Sequence, residues 1–104
     1  MKHRKEQLLQ LLKENPNDLF VIYALGMEAL AEKNYTEALQ KFHQVIQLEP
    51  SHHAACYQLS LIYQMLDLTD VAITYCTKGL QIAEQENNDK AVREFKALLE
   101  ELSM

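Results

Sequence analysis

Turn-forming residues are scarce in this chain, which has two glycines and two prolines among 104 residues. That scarcity excludes a turn-rich sheet protein and leaves helices. Positive charge is also in deficit. Ten Lys and Arg stand against fifteen Asp and Glu, for a net charge of −5. Non-specific nucleic-acid binding needs a basic face, so the acidic balance argues against that function. Long apolar runs are missing too. The best candidate for a membrane span, residues 19–31, is short and interrupted by Glu28. A basic start leads into LLQLL, but Lys13 and Glu14 follow with no small-residue cleavage site, so no signal peptide is expected. The two cysteines, Cys56 and Cys76, form no CxxC pair. They read as buried small hydrophobes in a reducing compartment, and the expected location is cytoplasmic.

Catalytic signatures are equally sparse. There is no glycine-rich phosphate loop, no HExxH and no GxSxG. His43, His52 and His53 lie near one another in sequence. Adjacent helical residues point about 100° apart, and no cysteine or carboxylate follows at zinc-site spacing. Neither cysteine has a histidine base beside it. Tyr35, Tyr63 and Tyr75 form no aromatic platform flanked by basic groups, which argues against a single-stranded nucleic acid. No cofactor, metal, membrane or small-molecule substrate is expected, and the chain does not read as an enzyme.

What the chain does have is helical periodicity, at a length suited to one domain. Leu19, Ile22, Tyr23, Leu25, Gly26, Ala29 and Leu30 follow the 3,4 spacing of one amphipathic helix. Asn34 and Tyr35 read as a turn, with Thr36 a candidate N-cap. Ala38, Leu39, Phe42, Val45 and Ile46 follow on a second helix, closed by Pro50. A shift of 34 residues places Leu25 on Leu59, Gly26 on Ser60, Ala38 on Ala72 and Phe42 on Cys76 without a gap. The second pair of helices carries Cys56, Leu59, Ile62 and Tyr63, then Val71, Ala72, Tyr75, Cys76, Gly79 and Ile82. Leu66-Asp67-Leu68 reads as its turn and Thr69 as its cap. Gly26, Ser60, Ala38 and Ala72 are small where paired backbones approach.

Terminal segments break the repeat. Leu8, Leu9, Leu11 and Leu12 lie on a helix expected to end at Asn15-Pro16, and Asn17 or Asp18 then starts the first repeat helix. The second repeat lacks a closing proline, so its last helix is expected to run to about Glu86. Asn87-Asn88 break it, and Asp89 caps a final helix through Ala91, Val92, Phe95, Leu98, Leu99 and Leu102. The plan is all-α: a cap helix (1–15), a first repeat (17–50), a second repeat (51–86) and a cap helix (88–102). Repeat arrays need such atypical ends.

Ile22-x2-Leu25-Gly26-x2-Ala29, Ala38-x3-Phe42 and Pro50, echoed by Cys56-x2-Leu59-Ser60-x2-Tyr63 and Ala72-x3-Cys76, resemble the tetratricopeptide repeat. The plan also resembles small bacterial proteins of that superfamily. The resemblance implies a right-handed α-solenoid whose first helices line a concave groove for a peptide or a partner helix. Its lining positions would be Phe20, Tyr23, Ala24, Met27, Leu30 and Ala31, then Ala54, Tyr57, Gln58, Leu61, Gln64 and Met65. The partner-binding candidates are Phe20, Tyr23, Met27, Leu30, Tyr57, Gln58, Leu61, Gln64 and Met65, a largely apolar set rich in interface residue types. Three arrangements are open. The face binds a protein or peptide. A terminal helix or the long last repeat helix covers it. A second copy covers it as a homodimer. Co-chaperone members of the family hold a carboxylate with Lys, Arg and Asn. The matching positions here are Tyr23, Met27 and Gln58, so that role is not expected.

Overall fold

The computed structural model describes residues 2–104. Met1, part of the expected first helix, lies outside the described residues. Six helices run in order: α1 Lys2–Glu14, α2 Leu19–Ala31, α3 Tyr35–Leu48, α4 His53–Met65, α5 Thr69–Gln85 and α6 Asp89–Leu102. No strand occurs among the described residues. The chain divides into two compact units, Met1–Pro50 and Ser51–Met104. The first holds α1 to α3 and the second α4 to α6.

In the first unit α2 and α3 form a helix-turn-helix hairpin, with Ile22, Leu25, Ala29, Ala38, Phe42 and Val45 buried. Gly26 sits where the hairpin closes. A Cβ there would lie 2.8 Å from the Phe42 ring, inside any tolerable contact. The α1 helix lays Leu8 against Val21, Ala24 and Leu25, with Leu12 at the edge. Arg4 pairs with Glu28 at 2.7 Å and Lys5 with Glu37 at 3.2 Å.

In the second unit α4 and α5 repeat the hairpin around Cys56, Leu59, Ile62, Ala72 and Cys76, all fully buried. Ser60 replaces Gly26 in the register and is also fully buried, its hydroxyl donating to the Ala72 carbonyl at 2.7 Å. Cys76 replaces Phe42, and its small thiol leaves room for that hydroxyl. The α6 helix packs on α5 through Phe95, whose ring would collide with any Cβ at Gly79.

Three turns share one backbone solution. Lys33, Asp67 and Asn87 all take positive φ, at 60°, 60° and 55°. In each, the next N–H reaches back over the helix end: Asn34 to Ala29, Leu68 to Tyr63 and Asn88 to Ala83. This is the Schellman closure, usually made with glycine. Here the glycines are spent inside helices, against phenylalanine rings, and ordinary side chains hold the left-handed positions.

Helix starts differ from expectation. The cap of α3 is Asn34, whose Oδ1 accepts from the Glu37 N–H at 3.2 Å, and Thr36 lies inside the first turn. The cap of α6 is Asn88, bonded to Ala91, one residue before the expected Asp89. The cap position of α5 is Leu68, which offers no side-chain acceptor, and Thr69 is the first helical residue. A left-handed residue ends each preceding helix earlier than a glycine-free sequence suggests, which moves each cap upstream. Asp18 caps α2 through the Val21 N–H, one of the two residues expected there.

Candidate protein-interaction surface

Residues Phe20, Tyr23, Met27 and Leu30 recur at 3,4,3 spacing and so share one stripe of α2. Phe20 is 77% exposed and Met27 is 39% exposed. Phenylalanine is seldom left this open, since burying such a side chain is worth about 1.5–3 kcal/mol. Tyr23 is half-buried, its ring edge-on to Phe42 with centroids 5.3 Å apart. Leu30 is also half-buried. The neighbouring position Ala24 is taken by Leu8 of α1. Thus α1 covers one flank of α2 and leaves Phe20 and Met27 in solvent.

The candidates on α4 have a different setting. Tyr57 stands edge-on to Phe95 of α6, with centroids 5.3 Å apart. Gln64 Nε2 donates to Glu101 Oε2 of α6 at 3.2 Å. Gln58 and Leu61 are half-buried, and Met65 is half exposed, at 50%. The helix lying against this part of α4 is therefore α6. Burial raises the Tyr57 hydroxyl above its usual range, with Glu94, Cys76 and Glu101 adding in the same direction.

Two exposed leucines escaped the sequence reading: Leu66, 39% exposed, and Leu68, 47% exposed, both at the α4–α5 turn. The signal was present in Leu-Asp-Leu, an apolar pair where the first hairpin has Glu32 and Asn34.

His52 and His53 have partners at the start of α4, and both cysteines are buried. His52 caps α4, its Nδ1 accepting from the Ala55 N–H at 3.1 Å. His53 Nε2 lies 3.8 Å from Glu86 Oε1. Burial lowers His43 below the ordinary histidine range. Cys56 and Cys76 are free, buried thiols. Burial raises both, opposed by Lys78 at Cys56 and by a Ser60 hydrogen bond at Cys76. A raised thiol is a poor nucleophile at neutral pH. Among the described residues no group of three or more His, Cys, Asp or Glu is placed to hold a metal. No described helix is long and apolar enough to cross a membrane.

The tetratricopeptide repeat family pattern matches residues 29–99, more than half of the chain. The chain belongs to the tetratricopeptide repeat family. It is similar to the peroxisomal targeting signal receptor of Saccharomyces cerevisiae, at 30% identity over 79 residues. That match takes in 76% of this chain and spans 13% of the receptor's length. A tetratricopeptide repeat domain protein from Salinibacter ruber has a similar solution structure, with a TM-score of 0.79 and 31% identity. The match covers 85% of this chain and 89% of that one. The TPR2B domain of yeast Sti1, in complex with pHsp70, has the same fold with a TM-score of 0.87 at 15% identity. It covers 95% of this chain and 79% of that one. Proteins with the tetratricopeptide repeat fold generally serve as protein–protein interaction modules and are typically non-catalytic.

Proposed function

We propose that this tetratricopeptide repeat chain is a non-catalytic interaction module that takes a peptide or helix of a partner protein on the α2 face. One observation carries the reading: Phe20 and Met27 stand exposed on the stripe that Tyr23 and Leu30 continue inward. Interface cores favour such aromatic and methionine side chains. A stripe of this spacing suits an amphipathic helix laid alongside or an extended peptide pinned at alternate side chains. The similarity to a targeting-signal receptor supports a peptide segment as the occupant. The positions of the carboxylate clamp hold Tyr23 and Met27, so recognition here is apolar. The α4 candidates Tyr57, Gln58, Leu61, Gln64 and Met65 belong to the second unit, and the reading does not rest on them.

Panning a random peptide library against the chain tests this reading. Selected peptides should shift the backbone amides of residues 20–31 and should lose binding to the variant Phe20→Glu/Met27→Glu. Both side chains are exposed, so the variant should fold. Equal binding to the variant would overturn the reading. A dimer at every concentration in light scattering, dissolved by the same variant, would replace it with self-association.

A further inference from the structure

The 34-residue register makes the two hairpin turns directly comparable. Lys33 and Asp67 share φ 60°. Their N–H groups reach Leu30 and Gln64 respectively, both at 3.0 Å, and the next N–H groups reach Ala29 and Tyr63, both at 2.9 Å. The backbones agree bond for bond, and the side chains do not. Where the first turn has Asn34 as cap and then the half-buried Tyr35, the second has Leu68 without a cap bond and then the exposed Thr69. A ring is missing from the second turn. Thr69, at the register position of Tyr35, lines an open concavity of about 370 Å³ together with Asp67, Leu68, Asp70 and Val71.

The rim has a definite chemistry. Leu66 and Leu68 are exposed beside it, which forgoes a cap that each of α2, α3, α4 and α6 has. Asp67 and Asp70 are both exposed, and no Lys or Arg occurs between Lys41 and Lys78. Exposed apolar side chains, an open notch and two exposed carboxylates define a complementary occupant.

We propose that the α4–α5 turn is a second docking site, for a peptide of a partner protein that inserts an aromatic side chain flanked by lysine or arginine. The inserted ring takes the place that Tyr35 fills in the first hairpin. Its edges meet Leu68 and Val71, and its basic neighbours meet Asp67 and Asp70. The site lies on the second unit, and the inference does not depend on the α2 reading.

The test uses acetyl-Lys-Tyr-Lys-amide, with acetyl-Glu-Tyr-Glu-amide and acetyl-Lys-Ala-Lys-amide as controls, followed by amide chemical shifts of the full chain. The lysyl-tyrosyl peptide should shift residues 66–71 with a dissociation constant of about 1 mM, weakening as salt rises. Both controls should bind at least about tenfold more weakly. Two repair variants separate binding from folding. Thr69→Tyr returns the missing ring and should abolish the shifts. Leu68→Asn returns the cap, and should raise the melting temperature while weakening the peptide. Undiminished binding to Thr69→Tyr, or equal shifts with the glutamyl peptide, would overturn the site. Shifts confined to residues 20–31 would do the same while leaving the α2 reading standing. Concentration-dependent shifts at residues 66–71 without peptide would assign the turn to a second copy and overturn the peptide occupant.

Discussion

Phe95 stands edge-on to Tyr57 at the same 5.3 Å centroid distance that separates Phe42 from Tyr23. In the first hairpin the ring comes from the second helix of the repeat. In the second hairpin that position is Cys76, and the ring comes from α6. The Cys76 thiol in turn lies 3.3 Å from the Phe95 carbonyl. The final helix is thus built into the second repeat by replacing one of its core side chains.

Removing that ring should cost far more than removing a surface contact. Phe95→Ala should lower stability by about 3–5 kcal/mol, the range for truncating a buried phenylalanine. Gly79→Ala should cost about 1–3 kcal/mol by overpacking against the same ring. Combining Gly79→Ala with Phe95→Leu should cost less than the sum of the two single changes, because the smaller side chain vacates the space the new Cβ needs. Urea denaturation of the four proteins measures the coupling, and strict additivity would refute the contact.

The Gly26–Phe42 and Ser60–Cys76 pairs are two solutions to one volume problem. Gly26→Ser alone should destabilise by about 1–3 kcal/mol through collision with Phe42. Adding Phe42→Cys should recover part of that loss, because the new hydroxyl then gains the room Ser60 has to reach a facing carbonyl. Thermal melts of both single variants and the pair decide it.

Non-glycine residues at left-handed positions are a reserve of stability. A left-handed conformation costs an L-residue roughly 1–2 kcal/mol, and glycine avoids most of that. Lys33→Gly should therefore raise stability by up to about 1 kcal/mol. Asn87→Gly should gain less, since asparagine tolerates the conformation better than lysine. Denaturant midpoints of the two variants give the order.

Acid should weaken the first unit through His43. Burial favours its neutral form, so its folded value lies below the ordinary one. As pH falls through about 6.5, the unfolded chain takes up the proton first. Stability is then full above that pH and declines until the folded ring also protonates. His43→Gln should flatten the fall in melting temperature between pH 7 and pH 5. An unchanged slope would assign the acid sensitivity elsewhere.

Helix positions and the hairpin register were legible because burial follows the 3,4 spacing closely. Ala38 and Ala72, Leu25 and Leu59 match across 34 residues and are buried to the same degree. Helix starts were less legible. Without glycine at the left-handed positions, Asn34-Tyr35 reads as a turn but does not mark which residue caps α3. On the candidate surface, Phe20 and Met27 are exposed, whereas Tyr57 and Gln64 engage α6. That difference could not be read from the repeat. Phe95 lies outside the 34-residue register, because α5 has 17 residues where α3 has 14. A contact made off the period leaves no periodic trace.

Each thiol of the second unit is sealed by a different structural event. Cys76 lies beneath the Phe95 backbone of α6, and Cys56 lies on α4 inside the α4–α5 hairpin. Neither can meet a reagent in the native state, so each alkylates only when its own cover lifts. The chain therefore carries two clocks. Lifting α6 starts the Cys76 clock, and parting the hairpin starts the Cys56 clock. The logarithm of their ratio, times RT, is the free-energy gap between shedding the final helix and losing the repeat.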